Sequence, residues 1–376
     1  MKSDCLFHRR KTTPVQCGNV VIGGDAPISI QTMTKCDTKD VPAVVREIRE
    51  AVSLGAEIVR VSVSDVEAAR AIKSIKQEVS CPVVADIHFD YRLALAAIEN
   101  GADKIRVNPG NIGGKDRLLQ VAEAARARGV AIRIGVNSGS LERDILEKFG
   151  APTPEAMVES AKRHLEYLES HGVDGIVLSL KSSSVKDTIR SYVLMARETL
   201  WPFHIGVTEA GPGLKGTVKS TSGIGALLAM GIGDTIRVSL TGPSRDEVVV
   251  GKEILQALEI RRFGPDIISC PTCGRTQVDL IPIAKKVAEE VKDLEVPLKI
   301  AVMGCPVNGP GEAREADVGV ACGREGGVLF SHGKVIGRVS SENMVTALLD
   351  LVREEAEKFR REQIGSSDRK TQCGKP

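Results

Sequence analysis

The feature that most restricts the fold is a unit recurring from about residue 28 to about residue 258. A stretch with helical spacing ends at a glycine, a small or acidic residue follows, and a short β-branched run comes next. Gly55-Ala56-Glu57-Ile58-Val59-Arg60-Val61 and Gly101-Ala102-Asp103-Lys104-Ile105-Arg106-Val107 are the clearest copies. Gly172-Val173-Asp174-Gly175-Ile176-Val177-Leu178 and Gly233-Asp234-Thr235-Ile236-Arg237-Val238 are looser ones. A glycine just past a helix takes the left-handed conformation without a Cβ penalty. A short apolar run without polar alternation marks a strand covered on both faces, as in parallel sheets. About eight such strands are expected, beginning near Ile28, Ile58, Pro82, Lys104, Ala131, Gly175, His204 and Thr235. Helices fall between them, for example over residues 41–54, 118–128, 154–170 and 216–230. Eight strand–helix units in roughly 230 residues is the size of a (β/α)8 barrel. An open doubly wound sheet is the alternative, but no G-x-G-x-x-G fingerprint follows a first strand. The α/β class and a TIM-like barrel over residues 1–260 are therefore expected.

Composition narrows the function. Lys plus Arg number 51 and Asp plus Glu 49 in 376 residues, a formal charge of +2. That balance argues against a nucleic-acid or membrane-surface protein. Hydrophobic residues, at 42%, suffice for a core and exclude disorder for most of the chain. No apolar run reaches the roughly 18 residues of a membrane span. Lys2, Arg9, Arg10 and Lys11 have no apolar segment behind them, so no secretory signal is expected and the cytosol is the expected location. Nine cysteines, an odd number at irregular spacing, do not make a disulfide framework. Clustered ones read as metal ligands or nucleophiles.

A second region begins near Arg261. It holds a Cys motif, a helical stretch over 278–294, a strand over 298–302, a Gly/Pro-rich loop over 304–311, strands near Val318, Val328 and Lys334, and a charged helix over 341–361. A small α+β domain over 261–361 is expected, with a flexible tail over 362–376.

The motif is Cys270-Pro271-Thr272-Cys273, followed by Cys305-Pro306 and the run to Glu312. A C-x-x-C offers two thiolates to one metal centre, and Pro after a ligating Cys recurs in iron–sulfur sites. A [4Fe–4S] cluster with a non-Cys fourth position is favoured, which makes this an iron–sulfur domain. Structural zinc and reduced bystander thiols remain open. Zinc wants a closed set of four Cys or His, yet His332 sits in a polar turn and Cys322 reads as a small buried strand residue. Glu312 is the nearest carboxylate to Cys305, either a ligand or a solvated loop residue.

Basic residues stand at or near barrel strand ends: Arg60, Arg106, Arg133, Lys181 and Arg237, with Lys219 in a following segment. The C-terminal strand ends of such a barrel carry its active site. Several converging Arg and Lys imply a ligand with more than one negative charge, and polyphosphate is the natural candidate. Asn108 opens a Gly-rich loop that can present amides to phosphate. Asp86 and His88 fall on one side of the third strand by alternation, Asn137 and Ser138 follow Arg133, and Glu209 precedes a Gly/Pro-rich loop that faces it toward a cavity. Each alone reads as a helix cap or a satisfied core group; together they read as a site for acid/base work. No Ser-His-Asp order or nucleophile elbow supports acyl chemistry.

These motifs resemble one family. Thr32-Met33-Thr34, Asp86-Ile87-His88-Phe89, the run Arg106 to Gly113, the run Arg133 to Ser140, Thr208-Glu209-Ala210-Gly211, the run Gly233 to Ser239, the C-x-x-C and the run Gly304 to Glu312 are similar, in order, to 4-hydroxy-3-methylbut-2-en-1-yl diphosphate synthase in its bacterial two-domain form. The similarity covers roughly residues 12 to 345. It implies reductive opening of 2-C-methyl-D-erythritol 2,4-cyclodiphosphate in the non-mevalonate isoprenoid pathway. It implies a [4Fe–4S] cluster on Cys270, Cys273, Cys305 and Glu312, with ferredoxin or flavodoxin as donor. Substrate binding falls to Arg60, Arg106, Asn108, Arg133, Asn137, Lys181, Lys219, Arg237 and Ser239; proton handling falls to Asp86, His88 and chiefly Glu209. The family resembled is a homodimer whose active site is shared between chains. Departures are Lys35-Cys36 in place of an Asn-Thr type pair, Ser184 where Asp is common, and Cys322 where Gly is usual. Two rivals are an iron–sulfur electron carrier or redox sensor without a substrate, and a zinc-stapled barrel enzyme acting on a sugar phosphate.

Overall fold

Short apolar runs punctuated by glycine become strands here because each is covered on both faces. The structure, a computed structural model, describes residues 8–305, 311 and 315–372. The chain divides into two units, Met1–Arg261 and Arg262–Pro376.

The first unit opens with an antiparallel hairpin, β1 (Val15–Cys17) and β2 (Val20–Ile22), which the sequence pattern does not announce. Val15, Cys17 and Ile22 pack with Ile58, Val84, Ala131 and Val177, near the N-terminal ends of barrel strands, so the hairpin plugs that end. The barrel elements follow: β3 (Ser29–Met33), α1 (Val41–Ser53), β4 (Ile58–Val63), α2 (Val66–Glu78), β5 (Val83–Ile87), α3 (Tyr91–Glu99), β6 (Lys104–Val107), α4 (Lys115–Ala127), β7 (Ala131–Asn137), α5 (Arg143–Phe149), α6 (Pro154–Ser170), β8 (Ile176–Lys181), α7 (Val185–Met195), β9 (His204–Ile205), α8 (Gly213–Ala229), β10 (Thr235–Ile236) and α9 (Ser244–Ala257). The strands are parallel, in the order β8-β7-β6-β5-β4-β3-β10-β9, and a bridge between Leu178 and Phe203 joins the two ends of the row. The expected (β/α)8 barrel is what forms.

The local causes are visible. Gly55 and Gly101 have φ of 110° and 90°, which L side chains adopt only with strain, and each ends a helix within a few residues of the next strand. Asp40, Asp65 and Thr153 cap α1, α2 and α6 by accepting from the N–H groups of Ala43, Ala68 and Ala156. On α6, Met157, Ala161, Leu165 and Leu168 recur at helical spacing and are buried. Each fully buried Ile or Val of this kind contributes about 1.5–3 kcal/mol.

The second unit holds β11 (Asp266–Ser269), α10 (Leu280–Val291), β12 (Lys299–Met303), β13 (Val318–Gly323), β14 (Gly326–Ser331), β15 (Lys334–Ser340) and α11 (Met344–Gln372). They form a mixed sheet, β11-β12-β13 parallel and β13-β14-β15 antiparallel. Leu280, Val287, Ile300, Val302, Val318, Val320, Leu348 and Val352 make its core. This is the expected α+β domain. Helical backbone in α11 continues to Gln372, past residue 361 where the sequence pattern ends it. Among the described residues, no helix is long and apolar enough to cross a membrane.

Candidate active site

Parallel register lines up charges that the sequence leaves far apart. Asp86 on β5 stands opposite Arg106 on β6, and Arg106 opposite Arg133 on β7. Arg106 Nη1 lies 3.1 Å from Asp86 Oδ1, while Arg60 Nε and His88 Nε2 lie 3.7 and 3.4 Å from Asp86 Oδ2. Lys181 closes β8 opposite Asn137. Lys181 is buried, and the charges acting on it are those of Arg133, Arg237, Arg60 and Arg106. Arg237, just past β10, reaches Glu247 at 3.3 Å.

The electrostatics are lopsided. Arg60, Arg106, Arg133, Lys181 and Arg237 share two buried carboxylates, Asp86 and Glu247. Burial would raise the Asp86 carboxyl, but Arg60, the His88 hydrogen bond and Arg106 outweigh it and hold the group well below the usual range. Burial, then repulsion from neighbouring cations, pushes Lys181 and Arg133 well below their ordinary values and brings Arg237 down to about 10. Among the described residues, Arg106 Nε and Arg133 Nε and Nη1 are buried without a hydrogen-bond partner. Burying a cation costs several kcal/mol unless it is paired, and an unsatisfied buried donor calls for an ion or water to meet it. A multiply anionic ligand bound against these cations would supply both.

Two glycines make room for this cluster. A Cβ on Gly206 would come within 2.4 Å of the Arg237 carbonyl oxygen and 2.8 Å of Lys181 Nζ. A Cβ on Gly135 would come within 2.8 Å of Arg106 Nε.

Buried polar residues, His204 among them, accompany the cationic row. Among the described residues, Lys104 makes one side-chain hydrogen bond, to Gln31 at 3.4 Å. His204 is buried with both ring nitrogens unpartnered. Burial, then Arg133, Lys181, Lys104 and Arg60, push its pKa well below 6.5, so the folded barrel keeps it neutral. Below pH 6.5 the unfolded chain binds a proton there that the folded state refuses, so stability falls as pH falls through that value. Thermal melts of ligand-free protein should show this loss, and His204→Gln should flatten it. An unchanged slope in the variant would contradict the assignment.

Asn108 Nδ2 donates to Ser140 Oγ at 2.6 Å and Asn108 Oδ1 accepts from Gly110 N, so this side chain organises the loop after β6. His88 is half exposed beside Asp86. Glu209 is exposed in the β9–α8 loop with φ of 52°, Lys219 is half-buried on α8, and Ser239 is half-buried two residues past Arg237. Among the described residues, no hydrogen bond or ion pair ties these last three to the cationic cluster. Ser184 caps α7 by accepting from Asp187 N at 3.2 Å, which an Asp would do equally well, so that departure leaves Lys181 undisturbed. Sequence reasoning missed Glu247, whose burial arises only when α9 packs on the barrel.

In the second unit, Cys270 follows β11 and Cys305 follows β12, parallel neighbours with Ser269 opposite Val302. Cys270 N donates to Val302 O at 3.3 Å and Gln277 N to Gly304 O at 3.0 Å, which stitches the C-x-x-C loop to the Cys305 segment. Hydrogen bonds from the Arg275 backbone and side chain lower the Cys273 thiol, which favours thiolate. Three free thiols are the soft donor set that iron–sulfur and zinc sites use. Among the described residues, no three Cys, His, Asp or Glu side chains yet converge at metal-ligand distance, and Glu312 lies outside those residues. Cys322 is a core residue of β13, its thiol raised to about 11 by burial. His332 Nε2 bonds Glu355 at 2.6 Å and is thereby engaged elsewhere.

Comparison with known proteins decides the family. The GcpE TIM-barrel domain matches residues 12–252 and the GcpE protein C-terminal domain matches residues 266–354. The chain belongs to the GcpE family, the 4-hydroxy-3-methylbut-2-en-1-yl diphosphate synthases. One relative, from Clostridium perfringens (strain 13 / Type A), is 52% identical over 92% of this chain and 99% of its own length. Another, from Ruminiclostridium cellulolyticum, is 52% identical over 93% of this chain and 99% of its own. Both are named 4-hydroxy-3-methylbut-2-en-1-yl diphosphate synthase (flavodoxin). In GcpE terms, the cationic cluster belongs to the barrel domain and the thiol loop to the C-terminal domain.

Proposed function

We propose that the protein reduces 2-C-methyl-D-erythritol 2,4-cyclodiphosphate to (E)-4-hydroxy-3-methylbut-2-enyl diphosphate and water, taking two electrons from flavodoxin. The observation that carries this reading is the buried cationic row with unpartnered donors at the mouth of a GcpE barrel. Flavodoxin appears in the names of both relatives described above.

Arg60, Arg106, Arg133, Lys181 and Arg237 grip the two phosphates, with Asn108, Asn137, Lys219 and Ser239 completing the contact surface. The grip is strong because the cations are already desolvated and outnumber the carboxylates Asp86 and Glu247 that pair with them, so the ligand relieves their repulsion instead of stripping water from them. Asp86, held ionised, accepts from His88 Nε2 and orients the ring toward the mouth, where it can pass a proton. Glu209, exposed in its loop, is the principal acid/base group for the departing hydroxyl. Cys270, Cys273 and Cys305, with Glu312, would hold a [4Fe–4S] cluster, which when bound supplies the electrons and a Lewis-acidic iron. Nine cysteines at irregular spacing, with free thiols at Cys270, Cys273 and Cys305, support a reducing, cytosolic location.

Protein purified without oxygen should be brown and contain about four irons per chain. Stoichiometric zinc without iron or sulfide would overturn the reading. The assembly is a homodimer in which each barrel is served by the partner's thiol loop. At substrate well below the KM of Arg133→Met, mixed dimers of Arg133→Met and Cys305→Ala protomers should therefore turn over faster than either homodimer; no gain would contradict a shared site.

A further inference from the structure

Glu247 is fully buried, and two cations compete for it. Its Oε1 takes Lys35 Nζ at 2.7 Å and the Leu240 N–H at 3.2 Å, while Oε2 takes Thr32 Oγ1 at 3.0 Å. Arg237 approaches the same carboxylate only at 3.3 and 3.4 Å. A good guanidinium–carboxylate pair sits at roughly 2.7–2.9 Å and is bidentate. Lys35 therefore holds the short contact and Arg237 the long one.

The position of Lys35 is itself fixed. Its backbone N–H donates to both Glu47 carboxylate oxygens, at 3.1 and 2.9 Å, and the Cys36 thiol donates to Glu47 at 3.2 Å. Glu47 on α1 thus anchors the loop after β3, and from there the Lys35 side chain spans to Glu247 on α9. That side chain stays 38% exposed while the carboxylate it meets is closed to solvent.

We propose that Lys35 is a positioning residue: by holding the short contact to Glu247 it keeps the Arg237–Glu247 pair long and lets the guanidinium turn to a phosphate oxygen. Without Lys35, Glu247 would draw the long two-point contact of Arg237 Nε and Nη2 down to full strength, and an incoming phosphate would have to break it. The inference rests on the phosphate-binding role given above to Arg237, and goes beyond it by assigning a residue outside the strand-end row.

The test uses holoenzyme and two readouts: calorimetric binding of inorganic diphosphate, and KM and kcat for the cyclic diphosphate. Lys35→Met should weaken diphosphate binding and raise KM about tenfold, the scale of one charge-assisted hydrogen bond, with kcat within about twofold. Lys35→Arg should restore both to within about threefold, since it can hold the same carboxylate. In a Glu247→Gln background, where Arg237 has no charged competitor, Lys35→Met should cost less than about twofold. Wild-type diphosphate binding in Lys35→Met overturns the proposal, as does failure of arginine to rescue or an undiminished effect beside Glu247→Gln. If wild-type protein binds diphosphate with this Lys35 dependence yet leaves the cyclic diphosphate unconverted, the proposed reaction falls and the role of Lys35 stands.

Discussion

Cys305→Ala should yield a folded protein that still binds the cyclic diphosphate but no longer converts it. Cys305 is buried at the end of β12, and alanine fills most of its space without a polar group, so the fold of this unit should survive. The barrel is a separate unit with its own core and its own cationic row, so substrate affinity should stay within about twofold of wild type. Iron content and visible colour should vanish, and turnover should drop by at least about 10³-fold, because the cluster is the route by which donor electrons would reach the substrate. Anaerobic metal analysis beside calorimetry separates the effects. Retained turnover would remove the thiol loop from the reaction, and lost binding would show that the loop is part of the substrate site.

Arg133→Met should move stability and affinity in opposite directions. Arg133 is buried; among the described residues its Nε and Nη1 have no partner and its side chain donates to Ser179 Oγ at 3.2 Å. Arg60 and Arg106 repel it. Replacing a buried charge by an apolar side chain of similar length is stabilising by about 1–4 kcal/mol when the charge is poorly paired. Ligand-free Arg133→Met should therefore melt several degrees higher, roughly 2–4 °C per kcal/mol for a unit of this size. Bound substrate reverses the balance. A charge-assisted hydrogen bond is worth about 1.5–3 kcal/mol, so affinity should fall about 10- to 100-fold, and more at low salt than at high. A lower melting temperature with unchanged affinity would mean that Arg133 serves the fold and not the ligand.

That trade also marks what the amino-acid pattern can and cannot reveal. Barrel strand starts are legible where glycine followed by a β-branched run gives a local signal, and Ile58, Lys104, Ala131 and Thr235 begin strands as expected; His204, without such a glycine, does so as well. The hairpin Val15–Ile22 is illegible because three-residue strands carry no periodicity, and its apolar residues show their purpose only against Ile58 and Val177. The row Asp86, Arg106, Arg133 is legible because equivalent positions in successive parallel strands meet. Glu247 is not, because an acid in the first turn of α9 reads as a partner for the helix dipole until packing buries it. His204 reads as an ordinary strand residue, since its unmet nitrogens exist only once the barrel closes around them. The C-x-x-C announces its chemistry locally, whereas the pairing of β11 with β12 that brings Cys305 beside it is a long-range fact.

The most direct test is an anaerobic assay with reduced flavodoxin, the cyclic diphosphate and reconstituted protein. Formation of (E)-4-hydroxy-3-methylbut-2-enyl diphosphate, with two electrons consumed per product, is the expected result. Tight binding of the cyclic diphosphate without any product, in protein that carries its full complement of iron, would contradict the union of a cationic barrel mouth and a three-thiol loop in one reaction.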